Sequence, residues 1–471
     1  MKTIDRIYIN GQFVTPHGSE KFDLINPSTN ETIGRATLGD AEDARHAIAS
    51  AKTAFQTFSI SSKQERSDIL QRLHDAVAPK IDALIAVMIE EYGAPLQFAK
   101  ASMQMAANSF LHAKDVLQDF EFTRHIGKSR VTLEPLGVAG IITPWNANVS
   151  FICSKLATAI AAGCTAVIKP SEMSALQTQL LLECLHEAQL PAGIFNIVNG
   201  RGDVVGAELT RHPDIAKISF TGSTVAGKTI ARDAAATLKR ITLELGGKSP
   251  NIILDDADLT KAIPLALQVA FMNSGQACVA GTRLLVPESR LEEIKLLIKA
   301  AVEKIAVGDP RSADTAIGPM VSKKQYERVQ QYIKLGIEEG AKLLIGGNGQ
   351  PAGLESGNFI KPTVFFNVTN NMRIAREEIF GPVLSILTYK TEAEAIAIAN
   401  DTSYGLQAYV SSANIERANR VAAQIIAGRV MINAAQHDPL APFGGFKQSG
   451  IGREYGVYGL EEYVEPKAIL I

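Results

Sequence analysis

From residue 138 onward, short apolar segments alternate with amphipathic segments of helical length. VAGIITP at 138–144 precedes an amphipathic run over 149–162, and AVIKP at 166–170 precedes another over 176–188. The series continues through IFNIVNG, KISFTGS, RITLELG and NIILDD. Strands that alternate with helices in this way predict βαβ units and a parallel sheet. An open parallel sheet binds its ligands beyond the carboxyl ends of its strands, so the segments that follow these strands are candidate sites.

A second alternating series begins after VAFMNSGQACVAG. It contains TRLLVP, a helical pattern over 289–305, and then TVFFNV, LQAYVSS and GRVMIN. The two series predict an α/β protein with two units that meet between residues 244 and 280. Residues 40–118 have apolar side chains at helical spacing, which predicts a largely helical region before the first unit.

Charge and hydropathy exclude some classes of partner. The 471 residues are 46% hydrophobic and carry a net charge of −2, which gives no electrostatic reason to expect a nucleic acid or an acidic membrane. The apolar run LIAVMI at 84–89 is far shorter than the ~20 residues of a membrane span. MKTIDRIYINGQF lacks the apolar stretch of a secretory signal, so a cytoplasmic protein is expected.

Four cysteines occur, at 153, 164, 184 and 278. Their spacing fits neither a zinc site nor a disulfide framework, and the histidines show no paired ligand spacing, so no metal is expected. Cys278 differs from the others because GQACVAGTR surrounds it with glycine and small residues. A nucleophilic cysteine needs space for a carbonyl, whereas a core cysteine packs as a small hydrophobe, and both interpretations stay open at this point.

Two polar residues at predicted strand ends are candidates for acyl chemistry. Asn146 in TPWNAN could donate its amide N–H to an oxyanion, although Pro and Asn are also ordinary turn residues. Glu244 ends the strand RITLEL before a double glycine. Such a carboxylate could act as a general base, or it could bind the glycine backbone in a structural role.

Other segments suggest a nucleotide site. Lys169 and Glu172 in KPSE could bind ribose hydroxyls, or Ser171 and Glu172 could simply begin a helix. FTGSTVAG at 220–227 places backbone N–H groups at a helix start, where a pyrophosphate binds well. EEIFGPV at 377–383 could place a carboxylate on a ribose, or be an exposed acidic helix end. PFGGFKQSGIGRE at 442–454 lacks the ending of a P-loop and is better explained as a closing loop.

In this order, the segments resemble the non-phosphorylating, hydrolytic NAD(P)-dependent aldehyde dehydrogenases. The similarity extends from YINGQFV at 8–14 to GLEEYVEPKAI at 459–469, and LELGGKSPNI, GQACVAGTR and EEIFGPV are its most specific parts. The resemblance implies a Rossmann-like cofactor-binding domain, an α/β catalytic domain and a small oligomerisation element. The corresponding ranges are 1–120 with 139–246, then 247–448, and finally 121–138 with 449–471.

The resemblance also implies roles for individual residues. Cys278 matches the nucleophile, Glu244 the general base and Asn146 the oxyanion donor, which acts together with the backbone N–H of Cys278. The implied cofactor is NAD, with NADP possible, and a ribose carboxylate at Glu172 favours NAD. The residues that the resemblance assigns to cofactor binding are Trp145, Lys169, Glu172, Gly222, Ser223, Glu378 and Phe380.

In the implied reaction the Cys278 thiolate attacks an aldehyde and forms a thiohemiacetal. Hydride transfer to the nicotinamide then leaves a thioester, which water activated by Glu244 hydrolyses to the carboxylic acid. Two alternatives are a CoA-acylating semialdehyde dehydrogenase, whose members generally lack this general base, and a non-catalytic protein on the same fold. A small-molecule aldehyde as substrate and a homodimer or homotetramer as assembly are also implied.

The regions that line the aldehyde tunnel in this family depart from its common pattern. Ala147 stands where an aromatic residue usually follows PWN, and Ser154 precedes Lys155 where a bulky aromatic is frequent. The loop INAAQHDPLAP at 432–442 carries His437 and no aromatic residue. These differences predict a roomier and more polar mouth. The arginine of succinate-semialdehyde enzymes and the aromatic box of betaine-aldehyde enzymes are both missing.

Overall fold

The computed structural model describes residues 2–470. Several elements begin and end where local chemistry requires it. The first helix starts at a capping box in which the Asp40 side chain accepts from Asp43 N and the Asp43 side chain accepts from Asp40 N. The helix that ends at Ala162 is closed by Gly163, which has a φ of 85° that favours glycine.

The strands of the described chain are β1 (Lys2–Ile4), β2 (Ile7–Ile9), β3 (Gln12–Val14), β4 (Lys21–Ile25), β5 (Thr32–Thr37), β6 (Thr123–Ile126), β7 (Ser129–Pro135), β8 (Val138–Ile142), β9 (Thr165–Lys169), β10 (Phe195–Ile197), β11 (Ile215–Thr221), β12 (Arg240–Glu244), β13 (Pro250–Ile253), β14 (Arg283–Pro287), β15 (Lys342–Ile345), β16 (Thr363–Phe366), β17 (Val383–Tyr389), β18 (Gln407–Ser411), β19 (Arg429–Ile432), β20 (Gly450–Ile451) and β21 (Val464–Ile469).

The α-helices over the same residues are α1 (Ala41–Phe58), α2 (Lys63–Val77), α3 (Ile81–Tyr92), α4 (Leu96–Asp119), α5 (Asn148–Ala162), α6 (Ala175–Glu187), α7 (Ala207–Arg211), α8 (Thr224–Ala234), α9 (Leu259–Phe271), α10 (Leu291–Val302), α11 (Lys323–Glu338), α12 (Arg373–Arg376), α13 (Glu392–Asn400), α14 (Ile415–Ala422) and α15 (Gly456–Glu461). None of them has both the length and the apolar composition needed to cross a membrane.

The first large sheet has the strand order β20-β12-β11-β8-β9-β10-β2-β3. Its five central strands, β12 to β10 in this order, are parallel, and antiparallel strands flank them. The second large sheet has the order β15-β16-β17-β14-β13-β18-β19, and all its pairings except β15 with β16 are parallel. The predicted parallel α/β architecture is therefore confirmed. The helices predicted over 40–118 are α1 to α4.

One sequence assignment was wrong in detail. NIILDD was read as continuing the first series, but its strand β13 pairs with β14 and β18 in the second sheet. The first series therefore ends at Glu244, and the chain crosses between the sheets over residues 245–249. Periodicity could not reveal the crossing, because strands buried on both faces give the same apolar pattern in either sheet.

A third sheet joins two segments that are distant in sequence. Its order is β21-β7-β6, and β21 pairs antiparallel with β7 over six residues from Val464 to Ile469. The outer strand β6 is exposed, and Ile126 keeps 64% of its surface accessible. A small sheet formed by β1, β4 and β5 lies near the N-terminus.

Candidate active site

The carboxyl ends of the central strands in the first sheet lie at one edge. Lys169 on β9 is in register with Ile142 on β8, which pairs with Phe220 on β11, which in turn pairs with Leu243 on β12. The segments KPSE, TPWNAN, FTGST and ELGGKSP all follow these strands. The sheet therefore brings the four predicted segments to the same edge, as the strand-end argument requires.

A cavity of about 530 Å³ lies at this edge, and its lining comes from the first large sheet and from segments that connect the strands of the second. Eight of the predicted site residues line it: Trp145, Asn146, Gly222, Ser223, Glu244, Cys278, Glu378 and Phe380. Lys169 and Glu172 are not part of its lining. The described residues contain no cluster of three or more His, Cys, Asp or Glu side chains that could hold a metal ion.

Cys278 follows an unusually shaped turn. Asn273, Ser274 and Gly275 have consecutive left-handed φ values of 51°, 59° and 74°. A Cβ on Gly275 would lie 2.3 Å from the Gly381 backbone, so this position requires glycine on two grounds. The run of left-handed residues is held by tertiary contacts, and it directs the following loop into the cavity.

The surroundings of Cys278 differ from those of the other cysteines. Cys153, Cys164 and Cys184 are buried, whereas Cys278 is partly exposed and lines the cavity. Burial, followed by the negative charges of Glu378 and Glu244, raises the pKa of the Cys278 thiol to about 12. The surroundings of Cys278 in the protein alone therefore disfavour the thiolate. A positive charge beside it would be needed to favour the thiolate.

Asn146 is held against the same loop. Its Nδ2 donates to the backbone oxygen of Gln276 at 3.0 Å, and Asn273 Nδ2 donates to the backbone oxygen of Asn146 at 3.2 Å. An amide has two N–H hydrogens, and only one of those on Asn146 makes this contact. Asn146 lines the cavity with a side chain that the loop itself orients.

Glu244 lies at the end of β12 and is 3% exposed. Neither of its carboxyl oxygens has a hydrogen-bond partner within residues 2–470. Burial and the nearby Glu454 raise its pKa well above the usual range, and Lys155, Arg453 and Arg429 oppose the shift. The alternative of a structural glutamate bonded to the glycine backbone is not what the structure has.

Two residues near Glu244 were not singled out from the sequence. Lys155 on α5 is buried, pairs with Glu454 and donates to Ser219 Oγ at 3.0 Å. The two partners are 299 positions apart in the chain. Lys155 is the only charged residue of α5, and this was the available signal, since a buried lysine needs a partner.

The KPSE segment begins a helical turn, and its Lys169 and Glu172 side chains, which were considered for ribose binding, pair with each other. Ser171 accepts from Met173 N and begins a short 3₁₀ turn, while Lys169 Nζ donates to Glu172 Oε2 at 3.2 Å. Arg201 Nη1 is 3.8 Å from Glu172 Oε1. Burial lowers the pKa of Lys169, and the Glu172 charge opposes this.

FTGST ends at the N-terminus of α8. Ser223 is the N-cap and accepts from Ala226 N at 3.3 Å. Beside it, Thr221 Oγ1 is buried and has no hydrogen-bond partner in the described chain. A helix start with an unpartnered hydroxyl in the wall of the cavity fits a bound phosphate group.

The two glutamates of the EEIFGPV segment make different contacts. Glu377 pairs with Arg373 at 2.7 Å, whereas Glu378 Oε1 accepts from Gly247 N at 3.1 Å. Burial raises the pKa of Glu378 to about 7. Phe380 packs edge-to-face on Trp145 with ring centroids 5.5 Å apart, so the two aromatic residues form one wall of the cavity.

The glycine-rich segment at 442–454 is a structural connection between the sheets. Ser449 Oγ donates to Gly246 O at 2.7 Å and accepts from Gly405 N at 3.0 Å. Within the same segment, β20 pairs antiparallel with the end of β12. The preference for a closing loop over a phosphate loop agrees with these contacts.

The family model for aldehyde dehydrogenases matches residues 13–469, nearly the whole chain. The chain belongs to the aldehyde dehydrogenase family. As a member it is an enzyme that oxidises an aldehyde to the carboxylic acid with a nicotinamide cofactor, NAD, and the predicted family and reaction class are confirmed.

Among curated relatives, the 3-succinoylsemialdehyde-pyridine dehydrogenase of a Pseudomonas species is 48% identical over 100% of this chain and 99% of its own. A cysteine-to-alanine variant of aldehyde dehydrogenase C from Pseudomonas syringae, solved with NAD⁺ and octanal, is 45% identical. Its TM-score is 0.97 over 99% of this chain and 96% of that one. Betaine aldehyde dehydrogenase from Staphylococcus aureus with NAD⁺ is 37% identical, with a TM-score of 0.96 over 99% and 94%. The predicted fold is thereby confirmed.

Proposed function

We propose that Cys278 is the nucleophile of this aldehyde dehydrogenase. It is the one cysteine of the four that faces the cavity, and the residues beside it are small. The Cys278 thiol first loses its proton to water. The thiolate sulfur then forms a bond to the aldehyde carbon, and the carbonyl π electrons move to the oxygen, which becomes the oxyanion of a thiohemiacetal. Asn146 then donates its second N–H to that oxygen, together with the backbone N–H of Cys278, because the contact to Gln276 leaves one amide hydrogen available.

Glu244 is the general base that activates water for hydrolysis of the thioester. The observation that carries this proposal is that Glu244 and Cys278 line the same cavity while both carboxyl oxygens of Glu244 lack a partner in residues 2–470. An unpartnered carboxylate can accept a proton from water, whereas one fixed by the backbone could not. Its raised pKa brings the group closer to the range in which a base works at neutral pH.

The residues of the catalytic cavity and of the neighbouring KPSE segment have the side chains needed to bind NAD. The partner-free Thr221 hydroxyl, Gly222 and the Ser223 cap at the start of α8 would hold the pyrophosphate, and Lys169 with Glu172 the adenosine ribose. Glu378 would bind the second ribose, between the Trp145–Phe380 wall and Gly247. When bound, NAD⁺ accepts the hydride that leaves the substrate carbon. Glu172 would repel a 2′-phosphate, so we propose a preference for NAD over NADP.

Pre-steady-state formation of NADH tests these roles. We expect Cys278→Ala to abolish NADH formation and Glu244→Gln to keep a burst of about one NADH per active site while steady-state turnover falls. Cys184→Ala, at a buried cysteine of α6, is the matched control and should retain turnover. Loss of the burst in Glu244→Gln would contradict the base assignment. Acyl-CoA formation that outpaces acid formation in the wild type would favour the CoA-acylating alternative.

We also propose a domain division and an oligomeric assembly for this chain. Residues 1–120 with 139–246 would form the cofactor-binding domain, 247–448 the catalytic domain, and 121–138 with 449–471 the oligomerisation element. The exposed strand β6 offers an unpaired edge that supports a homodimer or homotetramer. Light scattering of Ile126→Asp tests this, with a substitution at the exposed Ile60, Ile60→Asp, as control. Only Ile126→Asp should lower the molar mass of the assembly.

Four free cysteines support a reducing, cytoplasmic location.

A further inference from the structure

A second, narrower cavity of about 30 Å³ lies between α4, α5 and the segment 437–456. This volume exceeds the ~10–15 Å³ that one water molecule needs, so it can take the end of a ligand of a few atoms. Apolar side chains form part of its wall, and six polar ones contribute the rest: Ser109, His112, Ser154, Thr158, His437 and Tyr455.

The narrow cavity and the catalytic one are lined by residues one helical turn apart on α5. Phe151, which lines the catalytic cavity, lies one turn before Ser154 on α5, and residues three apart share a helix face. The negative charge of Glu244 also contributes to raising the pKa of Tyr455 and opposes the lowering of the pKa of Arg429. Both residues therefore lie near Glu244.

Arg429 determines which nitrogen of His437 carries the proton. Arg429 Nη1 is 2.7 Å from His437 Nδ1. A guanidinium can only donate, so Nδ1 accepts and the hydrogen of the neutral imidazole is on Nε2. Burial, followed by the Arg429 charge, lowers the pKa of His437 to about 4, which keeps the ring neutral at physiological pH.

His437 Nε2 is buried and has no hydrogen-bond partner among residues 2–470. Arg429, in contrast, is occupied: it donates to the backbone oxygens of Pro442 at 2.8 Å and Asp438 at 3.0 Å, and also to that of Ala441. His437 lines the narrow cavity, whereas Arg429, which lies on the Nδ1 side of the ring, does not. Nε2–H is therefore the uncharged donor that this ring can offer there, and the neighbouring cation is already bound by the backbone. A buried N–H that lacks an acceptor is costly, which favours a ligand that supplies one.

We infer that His437 is a specificity-determining residue whose Nε2–H donates to an acceptor atom on the tail of the aldehyde. The substrates are then aldehydes whose tail carries a hydrogen-bond acceptor, such as a ketone oxygen or an aromatic ring nitrogen. A quaternary ammonium tail offers no acceptor and would be repelled by the Arg429 charge. This inference rests on the proposed function, because it orients the tail relative to a carbonyl held at Cys278.

Two pairs of aldehydes isolate the acceptor atom: 4-oxo-4-phenylbutanal with 4-phenylbutanal, and 3-(pyridin-3-yl)propanal with 3-phenylpropanal. We expect the wild type to favour the acceptor-bearing member of at least one pair by about tenfold in kcat/KM, mainly through KM. His437→Leu should bring that ratio close to one, and His437→Gln, which retains an N–H donor, should restore part of it. His46→Leu, at an exposed histidine of α1, should leave the ratio unchanged.

A wild-type ratio near one for both pairs, or a ratio that survives His437→Leu, would overturn the inference while the proposed function stands. No NADH from any of the four aldehydes, with NAD⁺ still bound, would instead count against the proposed function and the inference together. Trp145 fluorescence reports NAD⁺ binding, because the only tryptophan lines the catalytic cavity. If His437→Leu does not fold, His437→Phe, which keeps a ring without the N–H, gives the same comparison.

Discussion

Asn146 Nδ2 donates to the backbone oxygen of Gln276 at 3.0 Å, and this contact joins the first large sheet to the loop that carries Cys278. The donor follows β8 and the acceptor lies two residues before the cysteine, so a single hydrogen bond fixes both the amide and the loop. Asn273 strengthens the arrangement because it donates to Asn146 O and to Gln276 O at 3.2 Å each. The amide is thereby oriented before any substrate arrives.

Asn146→Ala should lower kcat/KM for any accepted aldehyde by roughly 100–1000-fold, the usual loss for one oxyanion donor. We expect only a modest loss of stability, of about 1 kcal/mol, because one hydrogen bond disappears. Steady-state kinetics and thermal unfolding measure the two effects separately. Asn148→Ala is the control: it removes a buried amide bonded to Thr143 and Thr178, so stability should fall more than activity. A similar activity loss in both variants would contradict the oxyanion role.

Glu244→Gln should stabilise the folded protein at pH 8 relative to the wild type. Burial raises the pKa of Glu244 well above its unfolded value, so the folded state holds a proton that the unfolded state releases above a pH of about 4.3. The wild type therefore loses stability as the pH rises from about 4.3 to the pKa of Glu244 in the folded state. The Glu244→Gln variant does not, because glutamine has no proton to release. We expect a gain in the free energy of unfolding at pH 8 and little difference at pH 4. Denaturant unfolding at both pH values measures this, and an equal gain at each would exclude titration of Glu244 as the cause.

Glu172→Gln should raise the use of NADP⁺. Glu172 is the carboxylate between Lys169 and Arg201, at 3.2 Å and 3.8 Å. Removing it leaves two cations and no repulsion for a 2′-phosphate, so we expect the NADP⁺ to NAD⁺ ratio of kcat/KM to rise about tenfold or more. Glu20→Gln is the matched control because it frees the same Arg201 from its other partner and keeps Glu172. An equal rise of this ratio in Glu20→Gln would show that Arg201, and not Glu172, determines the preference for NAD over NADP.

The sheet topology explains why the catalytic residues predicted from the sequence lie close together. Cys278, Glu244 and Asn146 were each ambiguous, but two of them follow parallel strands whose carboxyl ends meet at one edge of the sheet. The topology therefore brings them to one cavity. Other contacts depend on how side chains pack, either between distant segments, as for Lys155 with Glu454, or across a loop, as for Arg429 with His437. No periodicity encodes these pairs, because neither partner follows a strand in a recognisable motif.

Gly247→Ala should impair catalysis without contacting substrate. A Cβ at this position would lie 2.3 Å from the backbone oxygen of Cys278, which rigid loop atoms cannot accommodate without moving. We expect the Cys278 loop to shift, kcat/KM to fall by at least 100-fold, and the free energy of unfolding to drop by about 1–3 kcal/mol, as for other overpacked sites.

Gly202→Ala is the control for this substitution because a Cβ there meets no atom within 4 Å and the backbone φ is not left-handed. It should leave kcat/KM and the unfolding free energy within experimental error. Iodoacetamide labelling of Cys278 gives an independent readout: a displaced loop in Gly247→Ala should change its rate. A Gly247→Ala variant with wild-type kinetics and wild-type labelling would show that the double glycine is not needed for the approach of the two backbone segments. The close packing of Gly247 on Cys278 O would then be a consequence of the fold, with no effect on the position of the sulfur.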